Sequence, residues 1–357
     1  MFVRINKDSE NELYSAYIDG DLDKFKSLIY DGADVNCIAR RGRSLISEVV
    51  RFSANIEESK NRMFFDELLK SDVLLCPITE HQSILSESMD SSDPYYMEQL
   101  LKKDIDVNSI GGYVSDTKII LEEPVIFSAI SDESVDKIKA LIEHGLDLFV
   151  LSSLGETVLQ NLMQKSDSFI LNLFEHLLKS GADINQKDLY GRTCLHKMVL
   201  NIDNEDIFNI AFKNNVDINA QDNYGNTPLM IACQHGKLFA INLLIKNKAC
   251  VNMQNFVGKT AAMHCVKNVL GPKSLEILSD VNPDFSKVSI TGSNICHHIA
   301  SECSDHHEYY MKFLKKHSEL LTKKNNNNNT PLDNMKIANH PKYSDLDKFI
   351  KENEISM

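Results

Sequence analysis

The sequence contains no tryptophan, no Cys-x-x-Cys pair and no glycine-rich phosphate loop; glycine totals only 14 of 357 residues. Without paired cysteines a zinc ribbon is not expected, and without a glycine loop nothing is prepared to cradle the phosphates of a nucleotide. No apolar run approaches the roughly 18 residues that cross a bilayer, so no membrane span is expected. The first residues, Met1 to Glu12, are polar and acidic, which is not the composition of a secretory signal. A cytoplasmic protein is expected.

Basic charge is scarce in the first half. Residues 1–150 carry 29 acidic side chains against 16 Lys and Arg, whereas residues 151–357 carry 22 of each. The net charge of −13 therefore sits entirely in the first half and argues against nucleic-acid binding there. A basic partner would suit that half, although a solvated, solubility-giving surface is the simpler account.

What the chain does have is self-similarity. Tyr190-Gly191-Arg192-Thr193-Cys194-Leu195-His196 returns 34 residues later as Tyr224-Gly225-Asn226-Thr227-Pro228-Leu229-Met230. It returns again after 33 more as Val257-Gly258-Lys259-Thr260-Ala261-Ala262-Met263. Before each stands a matching tail, ending in Asp183-Ile184-Asn185, Asp217-Ile218-Asn219 and Cys250-Val251-Asn252.

A period near 33 with this start and this end resembles the ankyrin repeat. The resemblance is strong over residues 155–300 and weaker from 10 to 155 and from 300 to 350. It implies an all-α fold, an ankyrin-repeat solenoid of about nine to ten helix-turn-helix repeats with β-turn fingers. The expected organisation is one solenoid over 1–357. It comprises an N-terminal repeat or cap at 1–42, irregular repeats at 43–154, regular repeats at 155–324 and a C-terminal cap at 325–357.

Individual residues acquire structural jobs in this frame. Thr at a helix start caps free backbone N–H groups, and Pro fits the first turn. Gly32, Gly145 and Gly181 are expected to close helices in the left-handed conformation. Cys194, Cys233, Cys265 and Cys296 fall on apolar helix positions, so reduced, buried thiols are expected. The charged segment from Phe52 to Asn61 should extend a helix or loop. The connection from Ser109 to Glu123 is a long finger, either functional or mobile. The Asn run at 325–329 reads as a flexible loop, and the last helix as Leu346 to Ile350.

Catalysis finds little support. The segment from Cys296 to His307 is the densest group of metal-ligand residue types, with Cys303 spaced to share a helical face with His306 or His307. His297 and Cys296, however, occupy structural positions of the repeat. The carboxylate pairs Glu57-Glu58, Glu122-Glu123 and Glu205-Asp206 fall in predicted loops or turns, where solvation explains them. No catalytic residue, no metal site and no cofactor are expected.

A binding surface is better founded. The resemblance implies contacts through finger residues and the exposed ends of first helices. In this sequence those are Leu189, Tyr190 and Arg192; Asn223, Tyr224 and Asn226; Phe256, Val257 and Lys259; with Gln234, His235 and Lys267 at the helix ends. Tyr190 and Tyr224 share one register and should stand side by side, as interface aromatics do, or pack on neighbouring fingers. Arg40, Arg41 and Arg43 form a basic tip that neutralises nearby carboxylates or docks an acidic segment. Lys312, Lys315, Lys316, Lys323 and Lys324 form a second basic group near Tyr309, Tyr310 and Phe313, read as a solvated helix face.

The function expected is a non-enzymatic protein-protein interaction module that binds one specific protein through its concave face and fingers. It would be monomeric when unbound, with no nucleic-acid partner. The irregular repeats and the Asn run resemble ankyrin proteins of bacteria or large viruses that act on a host, which would place the chain in the producer's or the host's cytoplasm. The alternative is an inhibitor or immunity protein that covers an enzyme's active site. No F-box-like segment follows Pro331.

Overall fold

The computed structural model describes residues 9–37, 43–51, 56–75, 83–89, 91, 93–103, 105–114, 120–301 and 307–353. The chain divides into two compact units, Met1–Asn161 and Leu162–Met357. Both are built from short helix pairs.

In the first unit α1 (Ser9–Ile18) pairs with α2 (Leu22–Tyr30), and α3 (Leu45–Val50) with α4 (Glu58–Lys70). Next, α5 (Ile84–Met89) pairs with α6 (Pro94–Leu101), and α7 (Val125–Ser131) with α8 (Val135–Glu143). Like helices stack: α3, α5 and α7 form one row, and α2, α4, α6 and α8 the other. A single helix of this length cannot hold itself together in water, so the shared core between the rows supplies the stability.

Aromatic edges lock that core. Phe25 and Tyr17 meet Phe64 with ring centroids 4.9 and 5.4 Å apart, and Phe65 meets Tyr96 at 5.0 Å. Among them sits Asn61, wholly buried. Its Oδ1 accepts from Tyr17 Oη at 3.0 Å, and its Nδ2 lies 2.8 Å from Val49 O and 2.6 Å from Tyr96 Oη. The segment 52–61 is thus helical from Glu58 onward and ends in the core rather than in solvent; residues 52–55 lie outside the description.

The long connection after α6 is a hairpin. Strand β1 (Ile110–Val114) runs antiparallel to β2 (Ile120–Pro124), with Gly112 opposite Glu122. It is the one two-stranded sheet among the described residues.

The unit boundary falls within α9 (Val158–Leu162). Beyond it come α10 (Asp167–Lys179), α11 (Cys194–Asn201), α12 (Glu205–Lys213), α13 (Pro228–His235) and α14 (Leu238–Lys246). They are followed by α15 (Ala261–Cys265), α16 (Gly271–Ser279), α17 (Ile295–Ala300), α18 (His307–Lys316), α19 (Pro331–Ile337) and α20 (Tyr343–Glu352). Helices α11, α13, α15, α17 and α19 stack as the inner row, while α10 packs on α12, α14 on α16 and α18 on α20. The final helix is longer at both ends than the apolar residues Leu346 to Ile350 suggest.

The helix starts follow the expected chemistry. Thr227 accepts from Met230 N with Pro228 in the first turn, and Thr193 with His196, like Thr330 with Asp333, closes a capping box. Each such cap contributes about 1 kcal/mol. Gly181 ends its helix at φ +106°, as a residue without Cβ can; in the next two repeats Asn215 and Lys248 take the same left-handed place at φ 57° and 64°. The carboxylate pairs are not in loops. Glu57 and Glu58 begin α4, Glu205 and Asp206 form the first turn of α12, and Glu123 lies on β2. Negative charge at a helix start faces the exposed backbone N–H groups, which stabilises the helix.

The closing Asp-x-Asn does two things. The Asp carboxylate bends its own turn, as Asp183 Oδ1 does by accepting from Asn185 N at 2.8 Å. The Asn then reaches into the next repeat: Asn185 Oδ1 accepts from Asp217 N at 2.7 Å, Asn219 from Cys250 N at 2.8 Å and Asn252 from Asp284 N at 2.7 Å. Asn36 and Asn108 make the equivalent bonds to Leu74 N and Asp147 N in the first unit, both at 2.7 Å. Cys194, Cys233, Cys265 and Cys296 are buried and unbridged. Burial pushes the Cys194 thiol up to about 12, so it stays protonated.

Candidate functional site: the finger row and the inner-helix cleft

Each finger of the second unit is one turn, set by an Asp or Asn in four of them and by Ser289 in the finger at 289–293. Asp188 Oδ1 accepts from Tyr190 N and Arg192 N, both at 2.8 Å, and Asp222 does the same for Tyr224 N and Asn226 N at 2.8 Å. Asn255 repeats the pattern with Val257 N at 3.2 Å and Lys259 N at 2.8 Å. The Asn run joins the series and is not a featureless loop. Asn325 Oδ1 accepts from Asn327 N at 3.0 Å and Asn329 N at 3.1 Å, and Asn328 takes the glycine place at φ 61°. Asparagine meets both demands, having a side-chain acceptor and tolerating the left-handed region.

The fingers are joined backbone to backbone. Asn223 N donates to Tyr190 O at 2.9 Å, Phe256 N to Tyr224 O at 3.0 Å, Ile290 N to Val257 O at 3.0 Å and Asn326 N to Thr291 O at 2.9 Å. Gly225, at φ +77°, permits this approach, since a Cβ there would lie 2.7 Å from Phe256 N. Polar finger atoms are thereby consumed, and the side chains left outward are Leu189, Tyr190, Tyr224, Phe256, Val257 and Ile290, all exposed. Tyr224 and Phe256 each keep 68% of their surface open to solvent, so neither is packed away on its neighbour.

Not every sequence candidate shares that position. Arg192 is ion-paired to Asp188 at 2.8 Å and lies over the Tyr190 ring at 4.8 Å, holding its own finger. Asn223 Nδ2 donates to Leu189 O at 3.0 Å, and Asn226 bridges Asp222 Oδ2 and Asn255 Nδ2 at 3.2 and 2.8 Å. These three act as braces. Gln234 and His235 are exposed at the end of α13, and Lys267 is exposed just past α15.

Gln234, Lys259 and Lys267 meet around a cleft of about 200 Å³ on the inner-helix row, together with Met263, His264 and His298. The sequence reading passed over His264 and placed His298 only in the Cys296–His307 group; the two occupy one column of the repeat, 34 residues apart, which the Gly-x-Thr alignment could have exposed. Burial, with the Lys259 charge second, lowers each to about 4, so both rings are neutral near pH 7. His264 Nε2 lies 3.3 Å from Asn255 Nδ2, whereas His298 Nε2 is buried with no hydrogen-bond partner among the described residues.

Two further histidines, His196 and His297, have structural work. His196 Nε2 lies 3.1 Å from Asn226 O, and His297 Nε2 lies 3.1 Å from Asn329 O, so each ties a helix start to the next finger. Among the described residues no group of three or more His, Cys, Asp or Glu side chains is placed to hold a metal, and no helix is long and apolar enough to cross a membrane. Cys303, His306 and the His307 side chain lie outside the description, as do Arg40 and Arg41 of the basic tip. Arg43 faces Glu48 at 3.8 Å. Near the C-terminal lysines, Tyr310 and Phe313 are buried core residues, with Tyr310 Oη donating to Val266 O at 3.1 Å.

Residues 162–255 and 195–287 match the family model for ankyrin repeats in three copies. Residues 162–287, all within the second unit, are thus ankyrin repeats. Comparison with curated proteins gave no match. Among solved structures, the ankyrin repeat domain of Bcl-3, described as a unique member of the IkappaB protein family, aligns at 17% identity and a TM-score of 0.49. That alignment covers 58% of this chain and 91% of the other.

Proposed function

We propose that this chain is a non-catalytic protein-interaction module whose partner docks on the finger row of the second unit and the adjoining inner-helix face. One observation carries the reading: a row of exposed apolar side chains, Leu189, Tyr190, Tyr224, Phe256, Val257 and Ile290, stands on turns pinned to one another by backbone hydrogen bonds. Burying large apolar groups on a rigid support costs little conformational entropy, and exposed aromatics of this kind supply most of the energy at protein interfaces. Arg192, Asn223 and Asn226 set the geometry, while Gln234, His235, Lys259 and Lys267 flank it.

The test is capture of a partner from the producing cell by the intact chain, compared with a Tyr224→Ala, Phe256→Ala variant of unchanged thermal midpoint. The variant is expected to lose the partner by at least tenfold in affinity, roughly the cost of truncating one strong interface residue. Full retention would remove the finger row as the interface. A host-directed effector and an inhibitor that covers an enzyme are the two biological forms of this reading. The acidic excess of residues 1–150 favours a basic target in the second case, with affinity that falls steeply as salt is added.

A further inference from the structure

The inner-helix cleft carries chemistry that the apolar finger row does not use. It spans α13, α15 and α17, and its lining brings Lys259 and Lys267 together with Gln234, His264 and His298, while Met263 and Val266 form an apolar wall. Among the described residues no carboxylate lines it. His298 Nε2 points nowhere useful to the fold, for it is buried without a partner among the described residues. Buried polar atoms are nearly always paired in a native chain, and an unpaired one beside two cations is a place where a ligand completes the set.

We propose that this cleft is a carboxylate pocket that accepts one acidic side chain of the bound protein partner. Lys259 and Lys267 supply the opposite charge, and Gln234 and His298 supply hydrogen bonds to the oxygens. The apolar wall suits the methylene stem of a glutamate. Helices α13 and α15 both end at the cleft, and their carbonyl ends oppose negative charge there, a phosphate dianion more than a carboxylate, so the two lysines must outweigh them. This inference rests on the protein-binding reading and names one chemical feature of that partner.

A bound carboxylate would also favour protonated imidazole. His298 faces Lys259, Lys267, His264 and His297; His264 faces Lys259 and Asp222. Burial first, and the neighbouring cations second, hold both rings neutral in the free protein; a bound negative charge raises them, so binding strengthens as pH falls toward the range in which the rings take up a proton.

The test uses the intact chain and a small probe, N-acetylglutamic acid α-amide, followed through the histidine ring resonances by ¹H–¹³C NMR. Saturable shifts of the His264 and His298 rings are expected, with at least tenfold weaker binding in Lys259→Met, Lys267→Met. The uncharged N-acetylglutamine amide should give none. Lys267→Glu, at an exposed site, gives the same loss if the double variant fails to fold. The proposal is overturned if the native chain shows no saturable shift, if the variants bind as well, if the glutamine probe matches it, or if inorganic phosphate binds more tightly. Finger variants leave the probe's binding unchanged; a silent cleft with partner loss in those variants removes the pocket and leaves the interaction module standing.

Discussion

Asn185 reaches across a repeat boundary to Asp217: its Oδ1 accepts the Asp217 backbone N–H at 2.7 Å, and its Nδ2 donates to Asn215 O at 3.1 Å. Removing that amide leaves a donor and an acceptor without their partner. Asn185→Ala is therefore expected to cost about 1–2 kcal/mol, rather than the few tenths typical of a surface change. Native-state hydrogen exchange checks it: the Asp217 amide should exchange faster by at least fivefold. An unchanged rate would mean that water replaces the bond at no cost.

Two glycines separate backbone strain from crowding. Gly181 sits at φ +106° with nothing within 4 Å of a Cβ, whereas at Gly225, φ +77°, a Cβ would fall 2.7 Å from Phe256 N. Gly181→Ala should lose about 1–2 kcal/mol from the left-handed conformation alone. Gly225→Ala should lose that and at least a further 1 kcal/mol, because the joint between two fingers has to open. Denaturant midpoints of the two variants would rank them, and equal losses would refute the crowding argument.

Acid should destabilise the second unit. His264 and His298 are lowered to about 4 in the folded chain, by burial first, against 6.5 when unfolded. A depressed histidine binds its proton in the unfolded state first, so stability present above about pH 6.5 is lost as pH falls toward 4. Each ring contributes up to about 3 kcal/mol across that window. Thermal midpoints measured from pH 7 to 4 should drop, and His298→Gln should flatten the slope.

The thiols should divide by burial. Cys250 is exposed, whereas Cys194, Cys233, Cys265 and Cys296 are enclosed, and burial raises Cys194 to about 12 and Cys233 well above its usual range. Iodoacetamide followed by site-resolved mass spectrometry should mark Cys250 within minutes and the other four only after unfolding. Rapid marking of Cys194 in the native chain would contradict its place in the core.

Much of this architecture could be read from residues 155–300, because there one local sequence recurs and each repeat confirms its neighbour. Thr193, Thr227, Gly181 and the buried cysteines behave as their positions in the repeat require. The reading failed where a residue's job depends on contacts far along the chain. Asn61 looks like a polar residue in a charged linker, yet three groups from other helices satisfy it inside the core. Asn325 to Asn329 looks like low complexity, yet each asparagine has a place in a turn whose identity only the preceding finger reveals. The cleft went unseen for the same reason: Lys259 and Lys267 are ordinary surface residues until His298, from the following repeat, closes the space beside them.

The joints between fingers all run one way, each turn offering a carbonyl to the N–H of the turn that follows. A chain wired with such polarity has no unique middle. Cutting out one whole repeat from the second unit, or copying one, brings an identical donor opposite an identical acceptor, so the seam heals without a mismatched edge. Length in this protein is therefore an adjustable quantity, and a variant that has lost Asn223 to Asn255, one full period, should still fold with its remaining fingers in line.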